Sequence, residues 1–311
     1  MQGLQVVLGA TGGAGSAVVT ELVARHAHVR AVSRSTRGAA VPGVERVQAD
    51  VTDRSNLRDA CRGAAVVYHC VNIPYQLWAV RLRPIAEAVV AASSEAGARL
   101  VVMDNLYMYG RVSGPMTETS PRNAQGRKGR LRVDLEQLFL DAHRSGRVRV
   151  TIGRASDFYG TQAANAAPMF LVVTPALRGR TASWLGSLDS PHTLSYLPDV
   201  ARGLVTLADR DEALGEIWHL PAAEPLPGRQ FIELVFRQLG KRPRMRLISR
   251  MMMRLAGAFS PLIRESLEVL YQFEDPFIMD ASKFTRAFGS QVTSHAEAIP
   301  RCVDELRGVR P

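Results

Sequence analysis

The chain has 311 residues, 46% hydrophobic and 22% charged, a balance that excludes a disordered protein and fits a soluble globular enzyme with one large core and a smaller appended lobe. Its net charge of +10 comes from 39 basic against 29 acidic residues. The arginines are scattered, form no block of like charge and accompany no nucleic-acid motif, so the basic surface reads as solvated and anion-attracting rather than as a nucleic-acid footprint.

In chain order, short β-branched runs are predicted as strands at residues 4–8, 28–32, 44–49, 65–69, 99–103 and 148–152, most of them separated by helical stretches. This rhythm predicts βαβ units and an α/β fold of Rossmann type, a doubly wound parallel sheet with a smaller C-terminal α/β substrate lobe. The nucleotide-binding domain is expected over residues 1–154. Residues 155–311, where the rhythm breaks and Gly/Pro-rich loops alternate with helices such as residues 229–239, are expected to form mainly the substrate lobe, partly interleaved with the first domain.

After the first predicted strand comes Gly9-Ala10-Thr11-Gly12-Gly13-Ala14-Gly15, followed by an apolar helix pattern. Gly9, Gly12 and Gly15, with Thr11, Gly13 and Ala14 between them, form a phosphate cradle: the backbone turns tightly and a pyrophosphate meets the positive helix end. Strand before and helix after raise this above a bare glycine triplet. Some twenty residues on, the second strand runs into Ser33-Arg34-Ser35-Thr36-Arg37, with no carboxylate to hold a ribose 2'-hydroxyl. Arg34 and Arg37, assisted by Ser33 or Ser35, suit a 2'-phosphate instead, so NADP (NADPH) is the expected cofactor and NAD the alternative. Asp50 and Val51 are placed to contact the adenine, although an Asp before a helix also serves as a cap.

Cys61, Cys70 and Cys302 are far apart and odd in number. Neither they nor the histidines show ligand spacing, so no metal and a reducing, cytoplasmic setting are expected. The first strand starts within a few residues of Met1, which leaves no room for a signal peptide. The apolar stretch from Met251 to Leu270 is interrupted by Arg254, Pro261, Arg264 and Glu265. It reads as a core-facing amphipathic helix pair rather than a membrane span.

The cradle, Asp50-Val51-Thr52-Asp53, the run from Arg99 to Gly110, Arg154-Ala155-Ser156-Asp157-Phe158-Tyr159-Gly160 and Tyr196-Leu197-Pro198-Asp199-Val200-Ala201 together resemble the extended short-chain dehydrogenase/reductase family, the NAD-dependent epimerase/dehydratase group. The resemblance covers nearly the whole chain. It implies a catalytic serine or threonine after the fifth strand and a Tyr-x-x-x-Lys pair on the next helix, and those positions fall here on Asn105, Lys128 and Arg132. Homodimerisation through the helix bearing Lys128 is a further family expectation.

Lysine is rare in this chain, occurring at only three positions, and one of them stands where the family carries its catalytic tyrosine. Arg132 can keep the cationic, ribose-holding role. Lys128 lies four residues away on the same helix face, so mutual repulsion is expected to lower the lysine pKa and make it a general acid/base. A similar Lys-x-x-x-Arg arrangement occurs in the isoflavone-reductase-like branch. Against this stands the reading of Gly-Arg-Lys-Gly-Arg as an exposed basic loop.

Tyr107 and Tyr109 are the rival acids, Tyr109 reading also as a structural residue or substrate contact, and Asn105 is an orienting amide or a turn-closing residue. Asp157 and the loop residue His192 are further candidate substrate contacts, Asp199 a structural position and Cys70 a small apolar filler. The leading expectation is an NADP-dependent reductase of a carbonyl or conjugated small molecule. The alternatives are an epimerase, dehydratase or non-redox cyclase or isomerase of a specialised metabolite or nucleotide sugar, and an NADP-binding redox sensor without catalysis. A small-molecule substrate is expected, with neither nucleic acid nor membrane as partner.

Overall fold

The computed structural model describes residues 2–35 and 41–308. Six parallel strands, β1 (Leu4–Leu8), β2 (His28–Ser33), β3 (Val44–Gln48), β4 (Ala64–His69), β5 (Arg99–Asp104) and β6 (Arg149–Arg154), are joined at the far edge by strand Ile217–His219. From one edge the order is Ile217–His219, β6, β5, β4, β1, β2, β3. Every residue of β1 is buried, as a central parallel strand covered on both faces requires.

Alternation along the strands divides the core into two layers. Val7, Tyr68 and Val101 face helix α1 (Gly13–Ala24) and helix Leu197–Ala208. Val6, Leu8, Val67 and Leu100 face α2 (Arg54–Cys61), α3 (Trp78–Glu95) and α4 (Arg127–Arg144). The start of α2 is set by Asp53, whose side chain accepts hydrogen bonds from the amides of Ser55 and Asn56, satisfying donors that an uncapped helix leaves free.

Beyond β6 the chain leaves the sheet and then returns to it. Strand Asp157–Tyr159 runs parallel to Leu194–Tyr196, and Ala182–Leu185 parallel to Met245–Ile248. Helix Leu197–Ala208 then comes back to cover α1, and Ile217–His219 pairs with β6. Tyr159, Trp184 and Phe231 belong to the same apolar cluster as Val7 and Leu22, so one core runs through both parts of the molecule.

The stretch from Met251 to Leu270 differs from the sequence expectation. It forms two short helices, Arg250–Gly257 and Pro261–Ser266. Only Met253 and Gly257 of the first are buried, and no residue of the second. Met251 (70% exposed), Leu255 (65%) and Phe259 (92%) face outward. The apolar spacing was there, but the core to receive it is not.

Candidate active site

The cradle lies where the strand order reverses, between β4 and β2 on either side of β1, the place at which open α/β sheets take their ligands. Gly9 follows β1 with φ +80°, a left-handed conformation that glycine adopts without strain. Its amide donates to the Val32 carbonyl of β2 at 3.0 Å. At Gly15 a Cβ would stand 2.2 Å from the Gly9 carbonyl oxygen, so the loop and the helix touch through bare backbone. Helix α1 begins with no side-chain cap and no acidic residue in its first turn. Its leading amides are therefore free to hold an anion, and the site fits the pyrophosphate of a dinucleotide.

At the adenosine end, Arg34 is exposed and Arg37 lies outside the described residues. The Ser33 hydroxyl donates to the Ser35 carbonyl at 2.7 Å, so its proton is committed to the loop and the expected help for a phosphate is reduced to its lone pairs. Asp50 accepts from the Thr52 amide and hydroxyl. These bonds, with smaller contributions from Arg34 and Arg81, hold its carboxyl below the usual range. Val51 is buried in the same apolar cluster as Leu57 and Val32.

After β5, Asn105 closes a turn: its side-chain oxygen accepts from the Tyr107 amide at 3.1 Å. Tyr107 then turns inward, its hydroxyl 2.6 Å from that of Tyr75 and its ring stacked on Trp78. Burial first, and then the nearby Tyr75 and Asp157, push the Tyr107 hydroxyl well above 10. A phenol so placed holds its proton and serves as a neutral donor rather than as an acid or base.

Helix α4 starts at Arg127, and Lys128 in its first turn is only 3% exposed. It is not the exposed basic loop that its neighbours suggest. Its Nζ donates to Glu265 Oε2 at 2.5 Å and to Glu268 Oε2 at 3.3 Å, and its backbone amide to Glu268 Oε1 at 2.6 Å. The same Nζ lies 5.3 Å from the Tyr75 ring centroid. Lys128, donating first through its hydrogen bond, lowers the Glu265 carboxyl.

Arg132 bonds Asp104 Oδ1 at 3.2 Å and lies over the Trp78 ring at 4.3 Å. The mutual repulsion expected between Lys128 and Arg132 is thus offset by three carboxylates, two on the ammonium and one on the guanidinium. The premise of a crowded, uncompensated pair does not describe this helix.

Two further expectations change. His192 is not on a surface loop but in a short strand, Pro191–His192, and is 2% exposed. Its Nδ1 lies 2.9 Å from the Gln272 carbonyl and its Nε2 2.9 Å from Asp157 Oδ2, with the ring stacked on Phe273. It therefore reaches the site only through Asp157, which remains half-buried beside Tyr107.

Tyr109 is fully buried and accepts from Arg154 Nη1 at 2.8 Å, with His219 Nε2 2.7 Å away. This makes it a structural residue and not a substrate contact. Arg154 also bonds Asp104 and Glu136. Burial and the Arg154 charge push the His219 ring down to about 3. Asp199 is buried as well, held by Thr293 and Arg202. The Cys70 thiol is pushed up to about 12 by burial, which keeps it an inert filler.

The sequence reading did not find Tyr75, Glu265, Glu268 and Tyr271, which complete the cluster around Lys128 and Tyr107. Glu265 reads in the sequence only as a break in an apolar stretch; Glu268 stands three residues on, in the short turn Leu267–Val269 that continues helix Pro261–Ser266. Beside them opens a cleft of about 560 Å³ lined by Arg111, Asn123, Gly126, Arg250, Glu268 and Tyr271. Arg250 and Arg111 both bond Glu274.

The NAD dependent epimerase/dehydratase family model matches residues 5–220. Several solved structures share the fold at low sequence identity. A double mutant of DesIV, a dTDP-glucose 4,6-dehydratase from Streptomyces venezuelae with NAD and DAU bound, is 21% identical at a TM-score of 0.80, covering 99% of this chain and 97% of that one. MoeE5 in complex with UDP-glucose and NAD is 20% identical at a TM-score of 0.79, covering 99% of each chain. UDP-glucuronic acid 4-epimerase from Bacillus cereus with NAD is 16% identical at a TM-score of 0.79, covering 98% and 99%. No curated protein matches the sequence. With the cradle at the sheet's switch point and a family match that spans the whole nucleotide-binding core, this chain belongs to the NAD-dependent epimerase/dehydratase family, a family of NAD(P)-dependent enzymes.

Proposed function

We propose that the protein is an NADP-dependent reductase of a carbonyl or conjugated small molecule in which Lys128 supplies the proton. The observation that carries this reading is the buried lysine at the position of the family's tyrosine, held by Glu265 and Glu268, the second of which lines the open cleft. When bound, the reduced nicotinamide supplies the hydride. As the substrate oxygen gains negative charge, an N–H bond of Lys128 breaks and an O–H bond forms. Glu265, 21% exposed at its side chain, connects the amine to solvent for its reprotonation. The two carboxylates fix the amine beside Tyr75, where the family carries its proton-transferring hydroxyl. Tyr107, half-buried and with its hydroxyl raised, orients the acceptor through the Tyr75 pair instead of titrating. Preference for NADP rests on Arg34 and on the lack of a carboxylate at the end of β2.

NADPH oxidation measured across a carbonyl panel, for the native chain and for Lys128→Arg, tests the proposal. The arginine keeps the charge and the ion pairs but does not give up a proton at neutral pH. Native turnover that disappears in this variant supports the reading; full turnover in the variant removes Lys128 from the chemistry.

A second reading is epimerisation or dehydration of a nucleotide sugar, favoured by the ligands of DesIV and MoeE5 and by Arg111 and Arg250 in the cleft. A diphosphate would compete with Glu274 for these guanidiniums. Sugar turnover with no net change in dinucleotide absorbance separates it from the first.

A further inference from the structure

We propose that the hairpin of helices Arg250–Gly257 and Pro261–Ser266 is a peripheral docking surface for an anionic lipid bilayer. In the first helix Met253 and Gly257 are buried, and at 3.6 residues per turn Leu255 points directly away from them. Leu255 stands out with Met251, and beyond the helix Phe259 and Leu262 continue the same exposed apolar surface. Four large apolar side chains together on an outward face are a costly arrangement in water and mark an interaction site.

The knob is compact. A Cβ at Gly257 would stand 3.3 Å from the Arg264 Cα, so the two helices cross at close range and carry their side chains as one unit. Of its charged side chains, Arg250 is paired with Glu274 and Glu265 with Lys128, while Arg254 and Arg264 are exposed. Among the described residues neither has a carboxylate partner, although ion pairs occupy many of the chain's other arginines.

Charge decides the occupant. A second copy placed on this face across a two-fold axis would bring unpaired arginines against their own images, which like-charge repulsion disfavours. A lipid phosphate layer meets both requirements: the guanidiniums bind phosphate oxygens while the methionine, leucine and phenylalanine side chains enter the acyl boundary. The net charge of +10 draws the molecule toward such a surface within about a Debye length of it. No helix among the described residues is long and apolar enough to cross a membrane, so the contact is to the surface. This departs from the sequence expectation of no membrane partner. It does not depend on which reaction the site performs.

Co-sedimentation of the full chain with phosphatidylcholine vesicles, with and without phosphatidylglycerol, tests the proposal. The native protein is expected to pellet with the anionic vesicles and to be released by salt. Leu255→Ser with Phe259→Ser, and separately Arg254→Gln with Arg264→Gln, should each lower the partition constant about tenfold, and circular dichroism of these surface variants should be unchanged. Native protein that stays in the supernatant overturns the proposal, as does a serine variant that pellets like the native chain. A dimer seen by light scattering and abolished by Phe259→Ser assigns the face to a second copy and overturns it too.

Discussion

Lys128 Nζ and Glu265 Oε2 meet at 2.5 Å across 137 residues of sequence, joining the start of α4 to the helix hairpin of the second lobe. The pair fixes the amine beside Tyr75 and commits a carboxylate to it. Replacing Lys128 with alanine removes the proposed proton donor and leaves Glu265 and Glu268 facing one another. Turnover is expected to fall about a hundredfold to ten-thousandfold, with dinucleotide affinity retained; steady-state assay alongside fluorescence titration of NADPH reads both.

The same pair makes stability depend on acid. The Glu265 carboxyl is lowered in the folded chain, chiefly by the hydrogen bond from Lys128. A depressed carboxyl contributes stability that is fully present above its unfolded value and is lost as pH falls through the folded one. The loss therefore begins near the ordinary glutamate value of 4.5 and deepens below it. Melting temperatures measured from neutral pH downward should drop in that window, and the Glu265→Gln variant should start lower and fall less steeply.

Backbone contact at the cradle leaves no room for a side chain. In Gly15→Ala the added methyl would lie 2.2 Å from the Gly9 carbonyl oxygen, so the loop has to move away from the start of α1, the end that fits a pyrophosphate. Loss of dinucleotide binding by at least about tenfold is expected, read by calorimetric titration. Binding as tight as that of the native chain would show that the phosphates lie elsewhere.

Arg34→Ala tests the choice of nucleotide. If Arg34 pairs with a 2'-phosphate as proposed, its removal should weaken NADPH by about tenfold or more while NADH changes little. Equal weakening of both would assign Arg34 to the loop and not to the ligand.

Arg154 is fully buried and holds Asp104, Glu136 and the Tyr109 hydroxyl. Arg154→Met leaves the buried Asp104 and the part-buried Glu136 without that partner, although Arg132 and Arg122 still reach them. The expected cost is about 3–5 kcal/mol, visible in the denaturant midpoint.

How much of this was legible depends on the range of each interaction. The cradle was readable because its requirements are local: a strand such as Leu4–Leu8, glycines at the turn, an apolar helix after them. Lys128 was readable as an anomaly because the family motif fixes its register on α4. Its partners were not, since Glu265 and Glu268 are far away in sequence and two neighbouring glutamates look like any solvated surface. His192 was misread for a related reason. Ser190-Pro191-His192-Thr193 has the composition of a turn, whereas the ring's burial depends on Phe273 and Gln272, some eighty residues later. The outward apolar face of Arg250–Gly257 shows the opposite limit: helical spacing reveals that a stripe exists and not which side of it meets protein.

The return of the chain to its own sheet makes the nucleotide-binding half inseparable from the C-terminal half. A polypeptide ending at residue 154 would leave β6 as a raw edge, because Ile217–His219 pairs there, and would uncover the face of α1 on which Leu197–Ala208 rests. On the ribosome the sheet cannot be finished until residue 219 has emerged, so the intervening excursion must wait, partly built, for the scaffold that will hold it. Any attempt to transplant this cofactor site into another protein has to carry that later strand and helix along with it.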